Sequence, residues 1–348
     1  MQIRQFPAEW HTQWGVLLAW PHPDTDWADN LSDAERCYSE IISAITQHEQ
    51  VLLLCHDAQH QAHIQAKLAQ TACQLARIVW VQQPYNDTWA RDFGFITVFA
   101  NQHPLLLDFT FNAWGGKFDA TLDNAVNQRL ITQPLLAHNS LETHALVLEG
   151  GSLESDGQGT LLTTEICLLN PNRNPSLSKA DIEQALKSSL GVERVLWLSQ
   201  GHLEGDDMDA HIDTLARFAD PQTIVYMSCD DSHDSHFAAL QAMQQELQQL
   251  RQANGQAYNL IPIPLPQAIY QDSRRLPASY VNFLIINQAV LLPIYDDART
   301  DAIAIAQMQR AFPQHLIIPI DCRALIAQNG SLHCITMQIP QEVAADAH

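Results

Sequence analysis

The feature that most restricts the fold of this chain is a ragged recurrence of one local unit. Apolar residues at helical spacing begin near positions 60, 122, 178, 234 and 298, roughly 56 to 64 residues apart, a range in which repeat architectures arise. Most of these helical stretches lead into a short β-rich run. Examples are Arg77-Ile78-Val79-Trp80-Val81, Arg194-Val195-Leu196-Trp197-Leu198, Leu260-Ile261-Pro262-Ile263 and Leu316-Ile317-Ile318-Pro319-Ile320. Further strands are predicted at 95–99, 161–164, 223–227, 283–286 and 290–293. The helix near 178 has the sharpest ends. Ser178 can cap it, Asp181 puts a carboxylate in its first turn, and Gly191 can end it in a left-handed conformation.

One helix with two or three strands cannot bury its own apolar faces. Five such units packed as blades around an axis could, and their strand ends and loops would then meet at the centre. An ordinary α/β sandwich would leave a similar trace. The expected class is α/β with a pseudo-five-fold repeat. No low-complexity linker divides residues 1–348, so a single domain is expected.

Hydrophobic residues make up 46% of the chain, enough for a sizeable core and too many for wholesale disorder. Acidic residues outnumber basic ones 39 to 18, a formal charge of −21. That surface repels nucleic acid and anionic membrane and concentrates small cations, although the same charge also serves simply to keep a protein in solution. The seven cysteines contain no C-x-x-C pair, which fits a reducing cytosol. The first residues lack the basic and apolar pattern of a signal peptide, and no apolar run approaches the roughly 20 residues that span a bilayer. A cytoplasmic protein is expected.

Four segments carry chemistry. Cys334 follows a turn at Asn329-Gly330 and precedes an apolar run from Ile335, which puts it at a loop-to-strand junction where a nucleophile can be exposed. A thiolate attacks and a thiol does not, so it needs a nearby cation or base, and a bound guanidinium can be that cation. Its neighbour His333 is the weaker imidazole candidate, because extended residues 333 and 334 would point to opposite faces. His211 is the stronger one. In an extended His211-Ile212-Asp213 both polar side chains share a face. The acidic approach to it, Glu204, Asp206, Asp207 and Asp209, lacks calcium-loop spacing, and no zinc-type H-x-H or H-E-x-x-H pattern occurs. Asp92, in Trp89-Ala90-Arg91-Asp92, could pair with a second carboxylate to hold a planar guanidinium, with Trp89 stacked on the cation. Equally, Arg91 could pair with Asp87 or Asp92 for structural reasons alone. Glu149, ahead of Gly150-Gly151-Ser152, is either a strand-end turn residue or a carboxylate that orients His211.

Taken in order, N-D-x-W-x-R-D at 86–92, E-G-G-S at 149–152, L-N-P-N-R-N-P at 169–175, E-G-D-D-x-D-x-H-I-D at 204–213 and x-H-C-I-T at 332–336 resemble the bacterial agmatine deiminases. These form the peptidylarginine-deiminase-type group of the guanidine-modifying superfamily. Pro7-Ala8-Glu9-Trp10 and Leu18-Ala19-Trp20-Pro21 match the usual opening of that group, and the resemblance runs over nearly the whole chain.

The resemblance implies the pentein fold, a five-bladed α/β propeller. It implies Cys334 as nucleophile, His211 as general acid and base, Asp92 and Asp213 as a clamp on the guanidinium, and Glu149 completing the set. The implied reaction converts agmatine and water to N-carbamoylputrescine and ammonia through an amidino-cysteine, with no metal or organic cofactor. Trp89 and Trp114 are the expected aromatic walls of the substrate site, Trp114 as a lid. Three positions depart from the family pattern: Ala210 stands where glycine often precedes the histidine, Asn329-Gly330-Ser331 is a thin glycine stretch, and Glu154 stands where histidine is common. These departures bear on pocket shape and so on the choice among agmatine, free arginine and peptidyl-arginine. An amidinotransferase, a non-catalytic polyamine binder and a metal-dependent hydrolase built on 204–213 are the alternatives, and a homodimer stays open.

Overall fold

A computed structural model describes residues 3–205 and 209–344. Five sheets repeat one pattern, an antiparallel pair followed by a parallel strand reached through a helix. In the first, Gln13–Ala19 pairs antiparallel with Met337–Pro340 and parallel with Gln50–Cys55, which in turn pairs parallel with Ile78–Gln82. The second joins Ile96–Ala100, His103–Thr110 and Ser140–Val147, with Arg4–Gln5 added at its edge. The third joins Glu154–Ser155, Thr160–Thr164 and Arg194–Leu198. The fourth joins Ala216–Asp220, Thr223–Ser228 and Asn259–Pro264, and the fifth Leu284–Ile286, Ala289–Ile294 and Leu316–Asp321. A small hairpin, Tyr270–Gln271 with Arg274–Arg275, stands apart.

Four of the expected helices are Ala58–Leu68, Lys179–Leu190, Phe237–Gln249 and Ala298–Ala311. The one predicted near 122 is only a 3-10 turn and a short helix, Val126–Leu130. At the 178 helix the Ser178 hydroxyl accepts from the Asp181 N–H while the Asp181 carboxylate accepts from the Ser178 N–H, a full capping box, and Gly191 ends it at φ +76°. A Cβ at Gly191 would sit 2.3 Å from the Arg4 carbonyl oxygen, so that position also requires glycine's lack of a side chain.

The longest helix, Leu31–His48, was not anticipated. It buries Ala34, Cys37, Tyr38, Ile41, Ile42 and Ile45 along one face. The strand it feeds, Gln50–Cys55, buries Val51 to Leu54 without alternation because it is a parallel strand covered on both sides. Among the described residues no helix is long and apolar enough to cross a membrane.

Each unit enters its first strand through a short helical turn or a compact loop. These entries are Ala90–Phe93, Gly150–Ser152, Ile212–Leu215, the segment 279–282, and His333–Ile335. The strand Met337–Pro340 closes the first sheet with the last residues of the fold, which brings Cys334 into register with the other four entries. Behind these turns lies a buried ionic cluster. Glu9 forms ion pairs with Arg217 at 2.8 Å and Arg91 at 3.5 Å, and Arg217 also meets Glu154 at 3.0 Å. Breaking one member of such a buried set costs about 3–5 kcal/mol because a charge is left uncompensated.

Candidate active site

The five entry turns converge on one point, and Gly151 marks it. A Cβ built there would lie 2.6 Å from His211 Nδ1, 2.9 Å from Asp92 Oδ1 and 3.2 Å from Asp213 Oδ2. Any side chain at this position would fill the space that three polar groups share, so the second glycine of Glu149-Gly150-Gly151 keeps that space open.

Cys334 sits in the 3-10 turn His333–Ile335, buried, with Sγ at the inner wall of a pocket. Asn282 anchors this turn: its amide oxygen accepts from the His333 N–H at 2.8 Å and its NH2 donates to Cys334 Sγ at 3.3 Å. Asp213 Oδ2 is 4.0 Å from the sulfur. Burial pushes the Cys334 thiol well above the usual range, and the Asp213 and Asp92 carboxylates add to it against the opposing pull of His211. Without a cation in the pocket the group is a thiol.

The reading of His211-Ile212-Asp213 as extended is corrected. His211 is the N-cap of the short helix Ile212–Leu215 and Asp213 lies in its first turn. Ala210, immediately before, holds a strained φ of +39°, which accounts physically for a glycine preference at that position. Both side chains nonetheless face the space at Gly151, and Asp213 is fully buried. Its Oδ2 accepts from His333 Nδ1 at 2.7 Å, and His333 Nε2 reaches Glu9 at 2.6 Å. Residue 333 is therefore not extended either, yet its ring does point away from the pocket and props Asp213 from behind. Burial would raise the Asp213 carboxyl, but His333 first, then His211 and Arg217, together hold it below its ordinary range. Asp213 Oδ1 has no hydrogen-bond partner among the described residues.

His211 Nδ1 faces Asp92 Oδ1 at 3.7 Å, and Nε2 faces Glu149 Oε2 at 3.5 Å, an ion-pair separation rather than a hydrogen bond. Burial works against the imidazolium, but Asp92 first, then Cys167 and Glu149, raise it well above the usual histidine value. Glu149 is fully buried, and Arg173 Nε holds its two oxygens at 2.9 and 2.7 Å. Arg173 also donates to Asp209 at 2.9 Å, which Lys117 bridges from the other side at 2.9 Å. Asp206 and Asp207 of the acidic run lie outside the described residues.

Asp92 accepts from the Gly151 N–H and from Trp114 Nε1, both at 3.0 Å. Burial lifts its carboxyl to about 6, with Glu149 and Asp213 adding and His211 and Trp114 opposing. Trp114 lies in a run of four left-handed residues, Ala113 to Gly116, with φ from 51° to 88°. Asn112 and Asn172 fasten this strained turn, since Asn112 accepts from Gly115 and donates to the Asn172 carbonyl. Arg91 pairs with Glu9 and Gln338 and not with Asp87 or Asp92, which corrects the structural alternative. Trp89 lines the pocket and packs on Gly330, where a Cβ would lie 2.0 Å from the indole. Trp114 and Phe118 continue the aromatic wall edge to face. The lining also includes Asp26, Asp87 and Asp209, and no arginine lines the pocket among the described residues.

All seven residues singled out from sequence gather around this pocket: Cys334, His211, Asp92, Trp89 and Trp114 line it, and Asp213 and Glu149 stand directly behind. Sequence reasoning passed over Arg173, Asn282, Cys167 and Glu9 as site residues. Arg173 and Glu9 stood in quoted motifs, but nothing local distinguishes Asn282 or Cys167.

Over residues 5–340 the chain matches the family described as Porphyromonas-type peptidyl-arginine deiminase. A Legionella pneumophila protein, provisionally named an agmatine deiminase, is 35% identical over 96% of this chain and 94% of its own. A Porphyromonas gingivalis crystal structure, provisionally named an arginine deiminase, is 48% identical with a TM-score of 0.91, covering 97% of this chain and 99% of that one. An agmatine deiminase of C. jejuni solved with substrate bound is 37% identical with a TM-score of 0.90, covering 98% and 97%.

Proposed function

Because the chain belongs to the family of Porphyromonas-type peptidyl-arginine deiminases, we propose that it is a hydrolase of the C–N bond of a guanidine and that agmatine is its substrate. The five repeated units then act as one pentein-type ring of blades, a single catalytic domain over the whole chain. The observation that carries the reading is the space at Gly151, enclosed by Asp92, His211 and Asp213 with the Cys334 sulfur 4.0 Å from Asp213.

A planar guanidinium between Asp92 and the unpartnered Asp213 Oδ1 would donate to both carboxylates and present its carbon to Sγ. Its charge offsets the two carboxylates that hold the thiol protonated, so Cys334 releases its proton to solvent as the substrate enters. The thiolate attacks the guanidinium carbon. His211, already an imidazolium, gives its proton to the departing nitrogen, which leaves as ammonia and generates the amidino-cysteine. The now neutral His211 takes a proton from water as the water adds to the same carbon. The C–S bond then breaks with its electron pair going to sulfur, the hydroxyl proton of the adduct returns Cys334 to the thiol, and N-carbamoylputrescine leaves with His211 again an imidazolium.

Agmatine is favoured over free arginine by the pocket lining. Asp26 and Asp87 offer carboxylates to a second cation, while the cation Lys117 is engaged by Asp209. Ammonia release from agmatine, arginine and a blocked arginyl peptide, by wild type and Cys334→Ala, tests this. Release from agmatine alone that vanishes with the substitution is expected. Turnover of only another guanidine would move the substrate, and turnover retained by Cys334→Ala would end the cysteine mechanism.

A further inference from the structure

Cys167 plays no part in the reaction above, yet it is fully buried against the two groups that control proton transfer. Its sulfur is 3.6 Å from Glu149 Oε2, which is 3.5 Å from His211 Nε2, and the three donor atoms all lie within 4.8 Å of one another. Tetrahedral zinc, with bonds of about 2.0–2.1 Å to nitrogen, 2.0–2.2 Å to oxygen and 2.3 Å to sulfur, separates its ligands by about 3.4 Å for N and O and about 3.6 Å for S and O. The separations from Glu149 Oε2, 3.5 Å to the nitrogen and 3.6 Å to the sulfur, match these. His211 Nε2 makes no hydrogen bond among the described residues although the side chain is only 6% exposed. A buried nitrogen without a partner, aimed at a carboxylate and a thiol, is a ligand set awaiting a cation.

We infer that Glu149, Cys167 and His211 form a site for a thiophilic divalent cation, zinc being the best fit, whose occupancy silences the catalytic histidine. The inference rests on the proposed role of His211. Arg173 now holds both Glu149 oxygens, and a metal on Oε2 would displace its 2.7 Å bond there while leaving the one to Oε1 at 2.9 Å. Asp92, Asp213 and Asp209 surround the centre with negative charge suited to a second cation. Binding converts the Cys167 thiol to a thiolate and releases its proton to solvent, with no change of oxidation state. A metal on Nε2 leaves the proton of His211 fixed on Nδ1, the nitrogen facing Asp92 and the substrate space, so the ring can no longer accept a proton from water. Asp92, Asp213 and Cys334 stay free to bind substrate. Zinc should therefore lower kcat and leave KM unchanged.

The test uses Co2+ as a spectroscopic probe on the full chain carrying Cys334→Ala, which removes the other thiol of the pocket. Uptake of one Co2+ with a thiolate-to-cobalt charge-transfer band is expected, and the band should vanish when Cys167→Ser is added. The same band persisting without Cys167, or none in its presence, would overturn the site. In parallel, Zn2+ should inhibit the otherwise wild-type enzyme reversibly, by a fall in kcat that a chelator restores, with Cys167→Ser and Cys167→Ala at least tenfold less sensitive. Inhibition competitive with the guanidine, or equal in the variants, would put the metal on Cys334 and refute the inference. Cobalt binding is read without turnover, so a protein that binds cobalt and hydrolyses no guanidine would refute the catalytic reading alone.

Discussion

Trp114→Phe removes one hydrogen bond and little else. The indole N–H donates to Asp92 Oδ2 at 3.0 Å, while the ring makes edge contacts with Phe111 and Phe118 at 5.2 and 5.9 Å that a phenyl group can largely keep. A hydrogen bond to a charged group is worth about 1.5–3 kcal/mol. The bond favours the ionised carboxylate, so its loss favours the acid. At about 1.4 kcal/mol per pK unit, the Asp92 carboxyl should rise by roughly one to two units above its value of about 6. At pH 7 most of the wild-type Asp92 is ionised, whereas roughly half or less would be in the variant. The acid limb of kcat/KM for agmatine should then move upward by about one unit or more, with a roughly two- to tenfold loss at pH 7 that recovers towards pH 9. Initial rates of ammonia release between pH 5 and 9 measure this. A loss uniform across pH would mean that Trp114 only covers the substrate, as a lid would, and would refute the positioning argument.

Three further predictions concern the frame around the site. Glu49, 4% exposed, is lifted by burial to about 8, from an ordinary value of about 4.5. Its protonated form therefore contributes stability that is fully present below about 4.5 and is lost as pH rises through 8. Glu49→Gln lacks that dependence and should gain stability on wild type across this window, by an amount on the order of a few kcal/mol in urea titrations; parallel curves would count against it. Arg173→Met strands the fully buried Glu149 and should cost about 3–5 kcal/mol along with turnover. Adding Glu149→Gln should return much of the stability and none of the activity, and a double variant no more stable than the single one would contradict the pairing. Gly330→Ala drives a methyl group into Trp89 and should cost about 1–3 kcal/mol in thermal or chemical unfolding, with a higher KM for agmatine. An unchanged melting curve and KM would show that the indole can move aside.

Much of the repeat was legible because its units announce themselves locally. The 178 helix carries its capping box and its terminal glycine within fourteen residues, and the edges of most strands were marked by apolar runs between polar turns. The helix Leu31–His48 and strand Gln50–Cys55 escaped notice although the helix carries an apolar face and the strand is a nearly continuous apolar run. A strand buried on both faces shows no alternation, and so resembles a continuation of the helix before it. The conformation of His211-Ile212-Asp213 was misread for a related reason: three residues are too few to carry a periodicity, and neighbouring turns decide whether they coil.

The residue types alone determined that a thiol, an imidazole and several carboxylates were available, and the order of the motifs marked the family. What only the tertiary structure decided is how these groups meet and in what protonation state. Asp92, Gly151, His211, Asn282 and Cys334 are far apart in sequence and adjacent because each occupies the entry turn of a different unit. The bonds from Trp114 to Asp92, from His333 to Asp213 and from Arg173 to Glu149 each join distant segments. A carboxylate's charge depends on what surrounds it in a medium of low polarity, and no local stretch of chain specifies those surroundings.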